Sequence, residues 1–260
     1  MTMNRRMLIR GGLACACCAG AGLARASDKP SSADSPAHWS YEGNGRPEKW
    51  GELQPDFKVC QLGTEQTPID LGNGVRGDVG SIAYDYKPLP LRMVNNGHTI
   101  QVNADPGSAC IIGQTRYELL QFHLHHPSEH LLAGKGFDLE CHFVHKSSAG
   151  ALAVTGVFIR PGAENAAFKS FFESMPGKEG PEQRGAGTID IAAIVPKTEG
   201  FFRYMGSLTT PPCSEGLTWT VHKLPVEALV EQIRRFAALF PNNARPIQQR
   251  FQDAAGFARL

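Results

Sequence analysis

Between residues 81 and 160, hydrophobic and polar positions alternate over a few residues at a time and not at helical spacing. Apolar, β-branched and aromatic runs at 81–86, 98–102, 118–125, 138–145 and 151–160 are each bounded by glycine, proline or asparagine. Evenly spaced short runs of this kind predict strands of one large, mostly antiparallel sheet. Two later stretches, 164–174 and 226–240, carry apolar residues at i, i+3 and i+4 with a proline nearby, and predict helices. No repeat or heptad run interrupts the pattern. The expectation is a mainly β protein with short peripheral helices.

The first residues do not belong to that pattern. Arg5, Arg6 and Arg10 precede or interrupt a small-residue apolar run at 11–24, and Ala24-Arg25-Ala26 fits a small-x-small cleavage site. The run is too short to span a bilayer. We read 1–26 as a cleaved export signal: Asn4-Arg5-Arg6-Met7-Leu8 resembles a twin-arginine signal, with a Sec signal as the alternative. Leu13-Ala14-Cys15 departs from a lipobox register, so no stable membrane anchor is expected. Residues 27–37, rich in Ser, Pro, Asp, Lys and Ala, read as a disordered leader. A single domain is expected over 38–260.

Charge narrows the function classes. Loss of 1–26 removes four arginines and no acid, turning the formal charge of +1 into about −3. No basic stripe or RNA-binding signature is present, which argues against nucleic acid as a partner. Four cysteines remain, Cys60, Cys110, Cys141 and Cys213. Export permits disulfides, and composition leaves all three full pairings open.

The candidate chemistry lies in two of the expected strands. Strand side chains alternate faces, so His123 and His125 share one face, and the 138–145 run can bring His142 alongside. Structural zinc sites close with four ligands and favour cysteine, whereas three histidines with an open position is a catalytic pattern. Gln121 and Glu140 stand two residues before His123 and His142, placed to accept each ring's second N–H. A glutamate inside an apolar strand is also costly unless paired. These residues predict a metal that activates water.

The chain resembles the α-class carbonic anhydrases, as an exported bacterial member. The resemblance is carried by His38-Trp39-Ser40-Tyr41, Glu65-Gln66-Thr67-Pro68-Ile69-Asp70, Asn95-Asn96-Gly97-His98, 121–125, Ser128-Glu129-His130, 140–145, Gly206-Ser207-Leu208-Thr209-Thr210-Pro211-Pro212, Trp219 and Asn243-Ala244-Arg245-Pro246. It implies a twisted, mostly antiparallel sheet of about ten strands and Zn2+ held by His123, His125 and His142. It implies reversible hydration of carbon dioxide to bicarbonate by zinc-bound hydroxide. In that scheme Thr209 and Glu129 orient the hydroxide, and Val144, Val154, Leu208, Thr210 and Trp219 receive the substrate. His98 shuttles the proton through water ordered by Tyr41, Asn96 and Gln101, the last standing where asparagine is common. A Cys60–Cys213 disulfide and a periplasmic or secreted location are further implications, with a homodimer left open. Without the family, His98 reads as a turn-flanking surface histidine and Thr209-Thr210 as a polar loop before Pro-Pro. His126, His130, His145 and His222 read as structural.

Two other classes are weighed. In a cupin metal oxygenase, His123-x-His125-xxx-Glu129 would make Glu129 a ligand, but the cupin's leading glycine and second motif are missing. A non-catalytic relative acting as a binding module would have lost ligands that this chain retains.

Overall fold

In a computed structural model the described residues are 38–249, apart from 74, 77, 198 and 199, together with 258–259. The export signal and leader expected over 1–37 lie outside them. The strands are β1 (Val75–Arg76), β2 (Ile82–Asp85), β3 (Leu89–Asn95), β4 (Ile100–Asn103), β5 (Ala109–Ile112), β6 (Thr115–His125) and β7 (Leu139–Ser147). The series continues with β8 (Leu152–Pro161), β9 (Gln183–Ile189), β10 (Phe201–Ser207), β11 (Glu215–His222), β12 (Val226–Ala228) and β13 (Ala258–Arg259). Four short helices accompany them: α1 (Trp50–Leu53), α2 (Val59–Leu62), α3 (Ala166–Ser174) and α4 (Val230–Leu239).

Among the described residues thirteen strands join one sheet, in the order β1-β13-β10-β11-β8-β7-β6-β4-β3-β9, with β12 on β8 and β2 attached through β5 to β6. Setting aside β1 and β13, of two residues each, the sheet agrees with the expected count of about ten strands. Most pairings are antiparallel as expected, but β11 and β12 both run parallel to β8. The helix expected over 226–240 is also corrected. Its first three residues pair with Ile159, Arg160 and Pro161 of β8, and helix α4 starts only at Val230. A free strand edge overrides local periodicity there.

Alternation along β6 and β7 divides the sheet's two faces. Phe122, Leu124, Cys141 and Phe143 are fully buried in one cluster with Phe168, Phe171 and Phe172 of α3 and with Ile233 and Phe236 of α4. Each such side chain contributes about 1.5–3 kcal/mol of burial. The intervening residues, His123, His125, Glu140 and His142, therefore point to the other face. There a second apolar cluster contains Val144, Val154, Phe158, Tyr204, Leu217 and Trp219. One face is ordinary core, and the other holds the histidines against an apolar wall.

Candidate metal centre

Strand register brings the three histidines together. His123 on β6 is the direct partner of His142 on β7, and His125 of Glu140. Directly opposed residues share a face within side-chain reach. The ring centroids of His125 and His142 are 4.6 Å apart, those of His123 and His125 4.9 Å, and those of His123 and His142 5.4 Å. One ligand nitrogen from each lies within 4.8 Å of the others.

Outer hydrogen bonds decide which nitrogen faces inward. His123 Nδ1 bonds Gln121 Oε1 at 2.8 Å, leaving Nε2 free. His125 Nδ1 donates to the Asn243 carbonyl at 2.7 Å, and its buried Nε2 has no partner. His142 is reversed: its Nε2 donates to Glu140 Oε1 at 2.9 Å, leaving Nδ1. Burial lowers the pKa of all three, that of His125 to about 4. Neutral imidazoles with outer acceptors on their second nitrogens are the form that binds metal. The donor set fits Zn2+, and the orphaned Nε2 of His125 marks a place for a ligand bond.

Glu140 is held low by His130 and His142 against the pull of burial. Its Oε2 accepts the N–H groups of Glu129 and His130 at 2.9 Å each, and its Oε1 is 2.7 Å from His130 Nδ1. His130 Nε2 in turn meets the Tyr204 hydroxyl. A Cβ on Gly156, the β8 partner of His142, would come within 2.9 Å of Glu140 Oε1, so the carboxylate needs that glycine.

Glu129 is fully buried, and burial raises its pKa to about 7 against opposing pulls from His142, the Arg245 N–H and the Thr209 hydroxyl. Its Oε1 accepts from Arg245 N at 2.8 Å, and its Oε2 lies 3.8 Å from His142 Nδ1.

Thr209 is buried in the turn after β10, where Cys213 N donates to the Thr210 carbonyl at 2.9 Å and Leu208 N to Ser214 at 2.9 Å. The Cys60–Cys213 disulfide ties that turn to α2, while Cys110 and Cys141 are free and buried. The apolar wall follows from register: Gln121, Val144, Val154 and Trp219 are successive partners across β6, β7, β8 and β11. Leu208 packs against the same cluster.

A cleft of about 100 Å³ opens over His123 and His125, lined also by Trp39, Tyr41, Asn96, His98, Thr99, Gln101, Gln121 and Thr210. His98 stacks on Trp39 with ring centroids 3.6 Å apart, and its pKa is lowered by partial burial and by nearby His38. Asn96 Oδ1 accepts the N–H groups of His98 and Thr99 across a turn in which Gly97 has φ +82. The amide oxygen of Asn96 is thus spent on the turn. The sequence reading did not anticipate the parts played by Asn243, Arg245, Tyr204 and Trp39. The conspicuous block Asn243-Ala244-Arg245-Pro246 was the signal for two of them.

The model of the eukaryotic-type carbonic anhydrase family matches residues 45–255. A carbonic anhydrase of Nostoc sp. is 46% identical over 217 residues, covering 81% of this chain and 82% of that one. One from Pectobacterium carotovorum is 39% identical over 218 residues, covering 84% and 89%. Among solved structures, the α-carbonic anhydrase of Thermovibrio ammonificans, complexed with sulfanilamide, aligns with TM-score 0.81 at 37% identity, covering 86% of this chain and 99% of that one. This chain belongs to the α-carbonic anhydrase family, enzymes that act on carbon dioxide and bicarbonate.

Proposed function

We propose that the chain hydrates carbon dioxide reversibly at a zinc ion held by His123, His125 and His142. The observation that carries this reading is the convergence of three imidazole nitrogens, each freed by an outer hydrogen bond, beside an apolar wall. When bound, zinc lowers the pKa of water in such a site from about 15.7 to about 7, for which carbonic anhydrase is itself the reference case, and so supplies a nucleophile at neutral pH.

The chain's own residues do the rest. With Glu129 Oε1 engaged by Arg245, the unpartnered Oε2 remains to accept the Thr209 hydroxyl proton, and a divalent cation beside His142 favours the ionised carboxylate that this needs, against the upward pull of burial. A Thr209 oxygen that donates to Glu129 can then only accept from the metal side, which selects an O–H donor there and aims its lone pair away. Val144, Val154, Leu208 and Trp219 offer an apolar surface for carbon dioxide, with Thr210 at the cleft edge. His98, half-buried between cleft and solvent, takes the released proton to buffer through water beside Tyr41, Asn96 and Gln101. The Cys60–Cys213 disulfide fits an exported enzyme, and Arg5-Arg6 make the twin-arginine route our reading.

Metal analysis of the purified chain together with stopped-flow carbon dioxide hydration tests the reading. One zinc per chain and activity lost to a chelator are expected, with both absent in His142→Ala. Full activity in a metal-free His142→Ala protein would exclude it.

A further inference from the structure

Gln101 meets the metal ligands from β4. It is the register partner of His123 and lines the cleft with His98 and His123. Its amide has an accepting end and a donating end. Which end faces the cleft decides how water there is oriented. We propose that Asn103, Glu182 and Arg92 act as positioning residues that turn the Gln101 carbonyl oxygen toward the cleft. The proposal rests on the reading of that cleft as a proton path.

Glu182 is a charge with no donor to offer. Glu182 takes Arg92 Nε at 2.9 Å and Nη2 at 3.2 Å, and Arg92 Nη1 reaches Asp105 at 2.6 Å. Bonding to Arg92, then to Asn103, lowers the Glu182 pKa, so its carboxyl is ionised at neutral pH. A carboxylate only accepts. Asn103, with Nδ2 2.7 Å from Glu182 Oε2, must therefore present its NH2 group to it. The other end of Asn103 is then an oxygen, and Gln101 meets it at 2.6 Å. Gln101 must donate through Nε2, and its Oε1 is the end left over.

Each amide is thus oriented by the next, ending at the ion pair. An amide's two ends are otherwise near-equivalent in shape, and only such a network distinguishes them. The sheet builds the chain in register: Asn103 on β4 is the partner of Arg92 on β3 and of Gln121 on β6. Gln121 is oriented by the same logic, with its Oε1 toward His123 Nδ1. A half-exposed ion pair adds little stability. Its effect here is on direction.

Asn103→Leu removes the amide at nearly constant size. The side-chain 15N–1H resonance of Gln101 should then move, in the zinc-loaded and metal-free proteins alike. In weak buffer kcat should fall about three- to tenfold, well short of the roughly hundredfold cost of misplacing a reacting group, with kcat/KM unchanged. The double variant Asn103→Asp with Glu182→Gln shifts the carboxylate one place along the chain and keeps Gln101 a donor, so it should restore both readouts. An unmoved Gln101 resonance in Asn103→Leu, or a double variant no better than Asn103→Leu, would overturn the proposal. His98→Ala is the separate control. If it leaves kcat in weak buffer untouched, the proton-path reading fails, and the Gln101 resonance alone decides the orientation.

Discussion

Glu140 shows how much one side chain can organise. It accepts from two backbone N–H groups and two imidazoles while fully buried, so it positions His142 and the start of the Glu129–His130 segment together. Glu140→Gln preserves shape but turns an NH2 group toward donors. Zinc affinity should fall about 10–100-fold, as replacing an outer acceptor typically does. Competition with a chromophoric chelator measures it, and wild-type affinity would mean that the carboxylate does not tune His142. This part of the site was legible beforehand, because Gln121 and Glu140 stand two residues before His123 and His142 and share their faces. The acceptor for His125 was not, since it is the backbone carbonyl of Asn243, and a main-chain atom leaves no mark on residue type. His98 was singled out only by the family resemblance, and its stacking on Trp39 joins positions 59 apart in sequence and needed the fold.

At the level of elements, the turn carrying Thr209 is fixed from outside itself. The disulfide joins it to α2, and buried Arg245 donates to the Thr67 carbonyl at 2.7 Å and the Cys60 carbonyl at 2.8 Å while its backbone N–H holds Glu129. The bridge closes a loop with a sequence separation of 153. In the chain-entropy account a loop of that size stabilises by roughly 5 kcal/mol. Cys60→Ser should therefore lower Tm by about 10 °C or more under oxidising conditions and match the reduced wild type. Thermal unfolding with and without reductant reads this, and a variant as stable as the oxidised wild type would refute it. Element assignment from pattern worked best for β6, β7 and β8, long strands with clear boundaries. It overlooked β3, where Pro90 interrupts the Leu89-x-Leu91-x-Met93 alternation, and β11, buried on both faces from Trp219 onward and so without alternation. It extended α4 through 226–228 because the pairing partner in β8 lies 67 residues away.

Over the whole molecule, histidines outside the metal centre set the response to acid. His145 and His222 are buried, and burial lowers both to about 4. Each bonds a tyrosine of the β2 region, His145 to Tyr86 at 2.7 Å and His222 to Tyr84 at 2.8 Å, which pins that edge onto β7 and β11. In the unfolded chain a histidine titrates near 6.5, so the unfolded state binds more protons between about pH 6.5 and 4. Their contribution is complete above pH 6.5 and is lost as pH falls toward 4, at about 3 kcal/mol for each histidine. Glu129, raised to about 7 by burial, acts in the opposite sense, losing stability as pH rises through 4.5 to 7. One carboxyl opposes two histidines, and the lowered His123, His125 and His142 add to the histidine side when no metal is bound. The metal-free protein should therefore unfold at progressively lower urea as pH drops from 7.5 to 4.5. His222→Leu leaves Tyr84 its contact with Thr155 at 3.3 Å and removes one titrating group, so it should flatten the slope by about 3 kcal/mol over that range. Urea midpoints at several pH values decide the matter, and an unaltered slope in His222→Leu would mean that His222 titrates as it does in the unfolded chain.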